Sequence, residues 1–359
     1  MRRDADIVVV GAGIVGVATA RALAATAFSV VLLERFEIGH AHGSSHGTSR
    51  IFRLNYADER FVRLARAAGD EWRALERERG ERLIERVGAL DLGPQATATA
   101  RALSACGVPH EALSAAAVAD RWPILLEPDE TAVFQADGGF LRADRAHVAL
   151  LDAALEGGVE LRERVAVTEL ALGRGSVRVG LGEGELTAGA VVVTAGAWAP
   201  GLLETVGIDL PVVPTRETVV YLDLPGAEHL PPVIDYAGIP GPAEGGISRV
   251  GNSTYALAAP GRGLKAGLHH SGPVADPGDA ADPDETVADW VARWSARRFA
   301  DVGAAQAKET CLYTNTADES FVLERHGRVI VGSACSGHGF KFAPVVGRTL
   351  ATLAREAVG

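Results

Sequence analysis

Lysine is almost missing from this 359-residue chain: of 35 basic residues only Lys265, Lys308 and Lys341 carry an ammonium, and the rest are arginine. An ammonium is a compact charge whose pKa burial can move, which a guanidinium cannot match, so a chain this poor in lysine invites the question of why three remain. Lys308 reads as a residue kept by chance, whereas Lys265 and Lys341 stand in Gly-Leu-Lys-Ala-Gly and Gly-Phe-Lys-Phe, settings that suggest use. Cysteine is scarce too. Cys106, Cys311 and Cys335 are odd in number and far apart, which fits a reducing compartment better than a disulfide framework. Positive charge is short, at a formal −11, which argues against nucleic acid and against an anionic membrane surface. No apolar window reaches spanning length. Neither C-x-x-C nor H-E-x-x-H spacing occurs, so no metal is expected.

What is present is a hydrophobic fraction of 47%, enough for about two domains with ample buried core. Arg2-Arg3 before the apolar run 7–25 imitates an export signal, but Gly11, Gly13, Gly16 and Arg21 interrupt that run. It reads instead as strand, turn and helix, and a cytoplasmic protein is expected. A second β-run over 29–33 ends at Glu34, completing the opening of a nucleotide-binding βαβ unit. The arginine- and glutamate-dense stretch 60–86 predicts one long helix with a solvated face, and 144–156 another. Strands are predicted over 159–161, 165–172, 190–194, 212–222 and across 253–267, with a helix over 286–299. The Pro/Gly/Asp-rich stretches 225–246 and 271–285 read as loops.

The fingerprint Gly11-Ala-Gly13-Ile14-Val15-Gly16 lets a chain turn tightly, approach a pyrophosphate and begin a helix whose amides favour the anion. Glu34 is placed to accept hydrogen bonds from a ribose diol. These residues alone leave FAD and NAD both open. Gly43-Ser-Ser45-His46-Gly-Thr-Ser49-Arg50-Ile-Phe-Arg53 follows the second strand and reads as a loop that should lie beside the cofactor, with two rigid guanidinium forks suited to a carboxylate. Ala195-Gly196-Ala-Trp198 ends another strand in a glycine turn where a cofactor could approach. Cys311-Leu-Tyr313-Thr314 offers a thiol in a polar turn, and Ser336-Gly337-His338-Gly339-Phe340-Lys341-Phe a loosened backbone with one cation at the mouth of a helix.

Taken in order, His46-Gly47, Arg50 and Arg53, then Gly263-Leu-Lys265-Ala-Gly-Leu-His269, Cys311-Leu-Tyr313-Thr314 and Ser336 to Phe342, these motifs resemble the monomeric sarcosine oxidase and N-methyltryptophan oxidase family. Those are FAD-dependent amine oxidases of the D-amino acid oxidase-like superfamily, and the likeness runs from Asp6 to about Leu353. It implies an α/β fold: a Rossmann-type FAD-binding domain over 1–82, 143–213 and 312–359, and a discontinuous mixed-sheet (α+β) substrate domain over 83–142 and 214–311. It implies FAD bound covalently through Cys311, whose thiol a cationic setting should acidify. Arg53 and Lys341 would clamp a substrate carboxylate, His269 and Tyr313 would line the amine end, and Lys265, as a fixed cation, would promote the reaction with O2, with Arg50 and His46 bordering the flavin ring. Arg35, His42, Val165 and the 337–341 segment complete the expected cofactor surroundings. Three positions depart from the family: Tyr255 is the nearest match to its upstream tyrosine, Cys335 stands where a bulkier aromatic is usual, and Ser49 replaces threonine.

The function implied is oxidation of a small N-methyl amino acid by a monomer using O2 and releasing peroxide. Competing readings are oxidation of a cyclic imino acid or a larger N-alkyl or glycated amino acid, a dehydrogenase with another electron acceptor, and a flavin-holding subunit without turnover.

Overall fold

The computed structural model describes residues 3–236 and 253–359. Its first sheet grows from the strand Ala5–Val10, which is flanked by two parallel neighbours, Val30–Leu33 and Glu185–Val193, with Val8 opposite both Val31 and Val191. Val329–Ser333 extends the parallel set beyond Glu185–Val193. These strands are buried along almost their whole length, as expected where helices or further chain cover both faces of a parallel sheet. The helices Ile14–Ala24, Ala143–Glu156 and Ala343–Val358 pack together on one side. Gly347 permits the close approach, because a Cβ there would stand 2.5 Å from the Ala18 carbonyl carbon. This is the α/β, Rossmann-type architecture expected.

A second large sheet is mixed. In spatial order it comprises Ala305–Asn315, Val213–Leu222, Gly263–Leu268, Thr254–Ala259, Val233–Asp235, Ala89–Leu92, Thr131–Gln135 and Glu111–Ser114. The helix Glu285–Arg298 closes one face, burying Val291 and Trp294 in one core with Val220, Leu222 and Ala266. A small sheet of Ser49–Phe52, Gly139–Arg142 and Ile84–Glu85 is separate in its hydrogen bonding and packs on the second, Ile51 and Phe140 sharing a core with Leu257 and Ala258.

Four expectations need correction. The long helix ends at Arg79, not 86, because Gly80 adopts φ 65° and the Glu76 carboxylate accepts from the amides of Leu83 and Ile84. The stretch 225–246 is not all loop, since Val233–Asp235 joins the second sheet between Ala89–Leu92 and Thr254–Ala259; residues 237–246 lie outside the described residues. The end of the His46 segment is a strand, Ser49–Phe52. Cys311 sits within the strand Ala305–Asn315, not in a turn. Among the described residues no helix is long and apolar enough to cross a membrane.

Candidate active site

A cavity of about 410 Å³ is lined by residues of both large sheets and of the loops at the carboxyl ends of the parallel strands. Its first end is the glycine turn. Gly11 takes φ 96°, and a Cβ on it would meet the Thr194 carbonyl at 2.7 Å, so only glycine allows the two strand ends to close together. Gly13 has no side chain to cap the following helix, and the Ile14 amide donates to Ser45 Oγ at 3.0 Å. Gly16 does not line the cavity, contrary to expectation. A Cβ there would stand 1.8 Å from the Gly11 oxygen, so its part is packing of helix against turn.

Glu34 is 5% exposed. Burial alone would raise its pKa, but a hydrogen bond from His40 and the amides of Ala12 and Phe36, at 2.8 and 3.0 Å, outweigh it and keep the carboxylate ionised. Arg35, Val165, Ala195, Gly196 and Trp198 line the same end, with the Arg35 guanidinium 5.3 Å from the Trp198 ring centroid. His42 does not reach the cavity; it is exposed and stacks on Phe36 at 4.2 Å, leaving Phe36 and His40 to form the wall.

Midway, Arg50 is spent on the backbone, donating to the carbonyls of Ser44, His46 and Ser49 at 2.6–2.8 Å, and so fixes the loop. That loop leaves His46 Nε2, Thr48 Oγ1 and Ser49 Oγ buried without protein partners, as is Thr314 Oγ1 across the cavity. Buried polar atoms normally find partners. Orphans beside a glycine turn, an uncapped helix start and a buried carboxylate fit a long polar cofactor with a nucleotide end, and FAD meets that description. His46 is held neutral, its pKa pushed down to about 4 by burial and then by Arg50 and Lys265.

The other end is built by strand alternation. Lys265 and His269 are four residues apart, Cys311 and Tyr313 two apart, and Leu257 and Tyr255 face Lys265 and Gly267 across the sheet, so one sheet face presents them all to the cavity. His269 Nδ1 lies 3.3 Å from the Tyr313 hydroxyl. Burial, then Arg50, pushes the Lys265 pKa down to about 7. It is therefore not the fixed cation expected, but an ammonium poised to lose its proton. Cys311 also departs: burial pushes its thiol up, and the opposing pull of Lys265 and Arg50 does not win. Cys335 lines the wall nearby, accepting from the Thr314 amide at 3.4 Å. Lys308, by contrast, is ion-paired to Glu285 outside this region.

Arg53 and Lys341 both open onto this cavity and share Tyr56, with the guanidinium carbon 4.4 Å from its ring centroid and the ammonium 2.9 Å from its hydroxyl. Lys341 also donates to the His338 carbonyl at 2.6 Å; burial, then Arg53, drives its pKa well below the ordinary value. Arg53 donates to Asn55 O at 2.6 Å and Tyr236 Oη at 2.9 Å, with Asp91 at 3.4 Å behind it. Gly337, His338, Gly339 and Phe340 line the wall between. Sequence reasoning missed Tyr56, Asp91 and Tyr236, as well as His147, whose Nε2 donates to Ala12 O at 2.7 Å. Only Tyr56 carried a local signal, being an aromatic three residues beyond Arg53.

Two consequences are measurable. Gly337 has φ 73°, and a Cβ would lie 2.3 Å from Tyr313 Cε2 and 2.4 Å from His269 Cε1. Gly337→Ala should therefore displace both walls and lower kcat/KM by about a hundredfold; full activity in that variant would show the walls to be irrelevant. Lys265 and Lys341 have folded pKa values depressed below the unfolded ones, so between about pH 7 and pH 10 the unfolded chain binds more protons. Stability of the flavin-free protein should rise across that window, then fall above it because burial holds Tyr255 and Tyr313 protonated. Urea midpoints at a series of pH values would read this, and a flat profile from 7 to 10 would count against it.

A Rossmann-type sheet whose strand ends, glycine turn and buried Glu34 line a cavity, joined to a mixed sheet that presents titratable groups to the same cavity, fits a flavin-dependent redox enzyme. The family model described as FAD dependent oxidoreductase matches residues 6–353, and the chain belongs to that family. It is 33% identical over 382 residues to peroxisomal sarcosine oxidase of Mus musculus, covering 98% of this chain and 92% of that one. It is 30% identical over 370 residues to monomeric sarcosine oxidase of Bacillus sp. (strain NS-129), covering 97% and 92%. Among solved structures it is similar to NikD, an unusual amino acid oxidase essential for nikkomycin biosynthesis, in its open form, with a TM-score of 0.87, 27% identity and coverage of 98% and 94%.

Proposed function

We propose that this chain is an FAD-dependent oxidase of a small N-methyl amino acid such as sarcosine. The substrate, O2 and water would give the demethylated amino acid, formaldehyde and hydrogen peroxide. The nucleotide-holding unit would comprise 1–82, 143–213 and 312–359, the substrate unit 83–142 and 214–311, and the enzyme would act as a monomer. The observation that carries this reading is the pair of buried cations: Arg53 and Lys341 converge on Tyr56, and Lys341 cannot hold its proton comfortably until an anion arrives between them. A carboxylate supplies that charge in two charge-assisted contacts.

FAD, when bound, supplies a two-electron acceptor that O2 can reoxidise. The protein does the rest. Arg53 and Lys341 fix the carboxylate and so the position of the amine, which removes several kcal/mol of orientational cost. His269, uncharged through burial, accepts a hydrogen bond from the amine and disfavours a second positive charge there. The walls of Tyr255, Leu257 and Tyr313 exclude water. Lys265 places a transferable proton where negative charge develops on oxygen.

The test is peroxide release from a panel of sarcosine, proline, pipecolate and a glycated amino acid. Sarcosine should give the highest kcat/KM, and a marked preference for a cyclic substrate would overturn the substrate assignment in favour of that reading. Covalent attachment through Cys311 is part of the proposal, supported by the thiol's place on the cavity wall, while burial holds that thiol protonated until a cofactor occupies the site. Yellow colour should stay with the acid-denatured wild-type polypeptide and leave the Cys311→Ser variant.

A further inference from the structure

His269 is followed by a second imidazole that the proposed reaction does not use. His270 is 8% exposed, its ring centroid is 3.9 Å from that of His269, and its Nε2 lies 3.1 Å from Glu319 Oε1. One ligand atom from each of His269, His270 and Glu319 falls within 4.8 Å of the other two. Two imidazoles and a carboxylate are the protein donor set of open zinc sites, where metal–ligand distances of about 2.0–2.2 Å set the donors about 3.3–3.6 Å apart. The His270–Glu319 pair is already that close, at 3.1 Å, and the half-exposed Glu319 side chain can shift with it as the set contracts around an ion.

The backbone is already committed to this arrangement. His270 at φ 56°, Glu319 at φ 61° and Ser336 at φ 41° are three of the five non-glycine residues with positive φ among those described. Such conformations persist only where surrounding contacts over-determine them. Here the buried Glu217 carboxylate accepts from the amides of Ser271 and Gly272, both at 2.9 Å, and from Thr215 Oγ1 at 2.6 Å, fixing the turn that carries both histidines. On the other side, the Glu319 carbonyl is held by His338 Nε2 at 3.0 Å. The charges of Arg53 and Lys341 act on the His269 imidazole and oppose a cation, so only an ion that gains strongly from nitrogen ligands would bind. Calcium and magnesium, which seek oxygen cages, do not fit.

We propose that His269, His270 and Glu319 form a site for a divalent transition-metal ion of the zinc class at the edge of the amine pocket, and that metal and amine substrate exclude one another. The exclusion follows because His269 lines the cavity and cannot offer the same face to both. The metal site stands on its own geometry; the exclusion rests on the amine-oxidase reading above.

Equilibrium dialysis of the chelator-stripped holoenzyme against Zn²⁺ reads the first part without turnover. One zinc per chain is expected, with affinity at least tenfold weaker in both His270→Asn and Glu319→Gln and unchanged in His42→Gln, which removes an exposed imidazole outside the cavity instead. No saturable binding, or equal affinity in wild type, His270→Asn and Glu319→Gln, overturns the site. Glu319→Gln is the safer of the two variants for folding because its side chain is half in water, and melting curves of both accompany the dialysis. The second part is read by peroxide kinetics: zinc at ten times its Kd should raise the apparent KM for sarcosine about tenfold with kcat unchanged. A fall in kcat at constant KM overturns the exclusion. A protein that binds zinc through these residues yet oxidises no N-methyl amino acid would refute the amine reading and leave the metal site standing.

Discussion

Arg53→Met is expected to lower kcat/KM for the amine by about a hundred- to a thousandfold and to cost about 3–5 kcal/mol of stability, two effects with separate causes. The first is loss of a charge-assisted contact to a substrate carboxylate. The second lies behind the guanidinium. Asp91 is fully buried, held by Arg53 at 3.4 Å, Asn55 Nδ2 at 3.2 Å and Thr99 Oγ1 at 3.4 Å, and burial already raises its pKa to about 6 against the pull of Arg53. Without the guanidinium the carboxylate is an uncompensated buried charge that must take up a proton or unfold its surroundings. The double variant Arg53→Met/Asp91→Asn should therefore recover most of the stability and none of the kcat/KM. Urea denaturation and steady-state kinetics on the single and double variants separate the two effects. Wild-type KM and kcat in Arg53→Met would remove the carboxylate clamp from the mechanism.

Lys265→Met should slow reoxidation of the reduced enzyme by O2 by about two to three orders of magnitude, the usual cost of removing a preorganised charge from a site where negative charge develops. Anaerobic reduction by substrate should change only a few-fold. Stopped-flow measurement of the two half-reactions distinguishes them, and unchanged oxygen reactivity would strip Lys265 of this role. The pH dependence adds a second check. With the pKa pushed down to about 7, the ammonium is present below that pH and lost as pH rises through it, so wild-type reoxidation should decline above neutrality while the methionine variant shows no such step. Tyr221 and Leu257, opposite Lys265 in the neighbouring strands, keep the ammonium in an apolar bed, with Glu309 and Arg262 paired at 2.6 Å nearby.

The nucleotide half of the site was legible because its signals are local. Gly11 and Gly13 mark a turn by their own lack of Cβ, and Glu34 ends an apolar run at a fixed distance. The reactive half was legible partly through the period of a strand: Lys265 and His269, or Cys311 and Tyr313, are spaced by even numbers and so share a face once those segments are strands. Placing Cys311 in a turn concealed that relation, because the polar residues after it, from Asn315 on, belong to the end of the strand and the turn beyond. Gly16 and His42 were misplaced for a different reason. A motif gives the neighbourhood of a residue but not whether its Cα or side chain faces the ligand or a neighbouring turn.

The family resemblance brought Arg53 and Lys341 together, and an aromatic three residues beyond Arg53 was the one local hint of Tyr56, yet nothing local to either cation could indicate Asp91 or Tyr236 behind the guanidinium. Asp91 stands 38 residues from Arg53 and Tyr236 stands 183 residues away, so only folding joins them. The His270–Glu319 pairing is of the same kind, since no spacing motif joins residues 49 apart.

By itself, then, the chain's order of residues determined the opening strand–turn–helix–strand unit, the glycine turn that can receive a pyrophosphate, and the few side chains able to bind or transfer protons. Tertiary structure alone decided their charge states: burial depresses Lys265 and Lys341, raises Cys311, and holds Asp91 against Arg53. A pKa is set by desolvation and by the charges that folding brings within a few ångströms, and neither exists until distant segments pack.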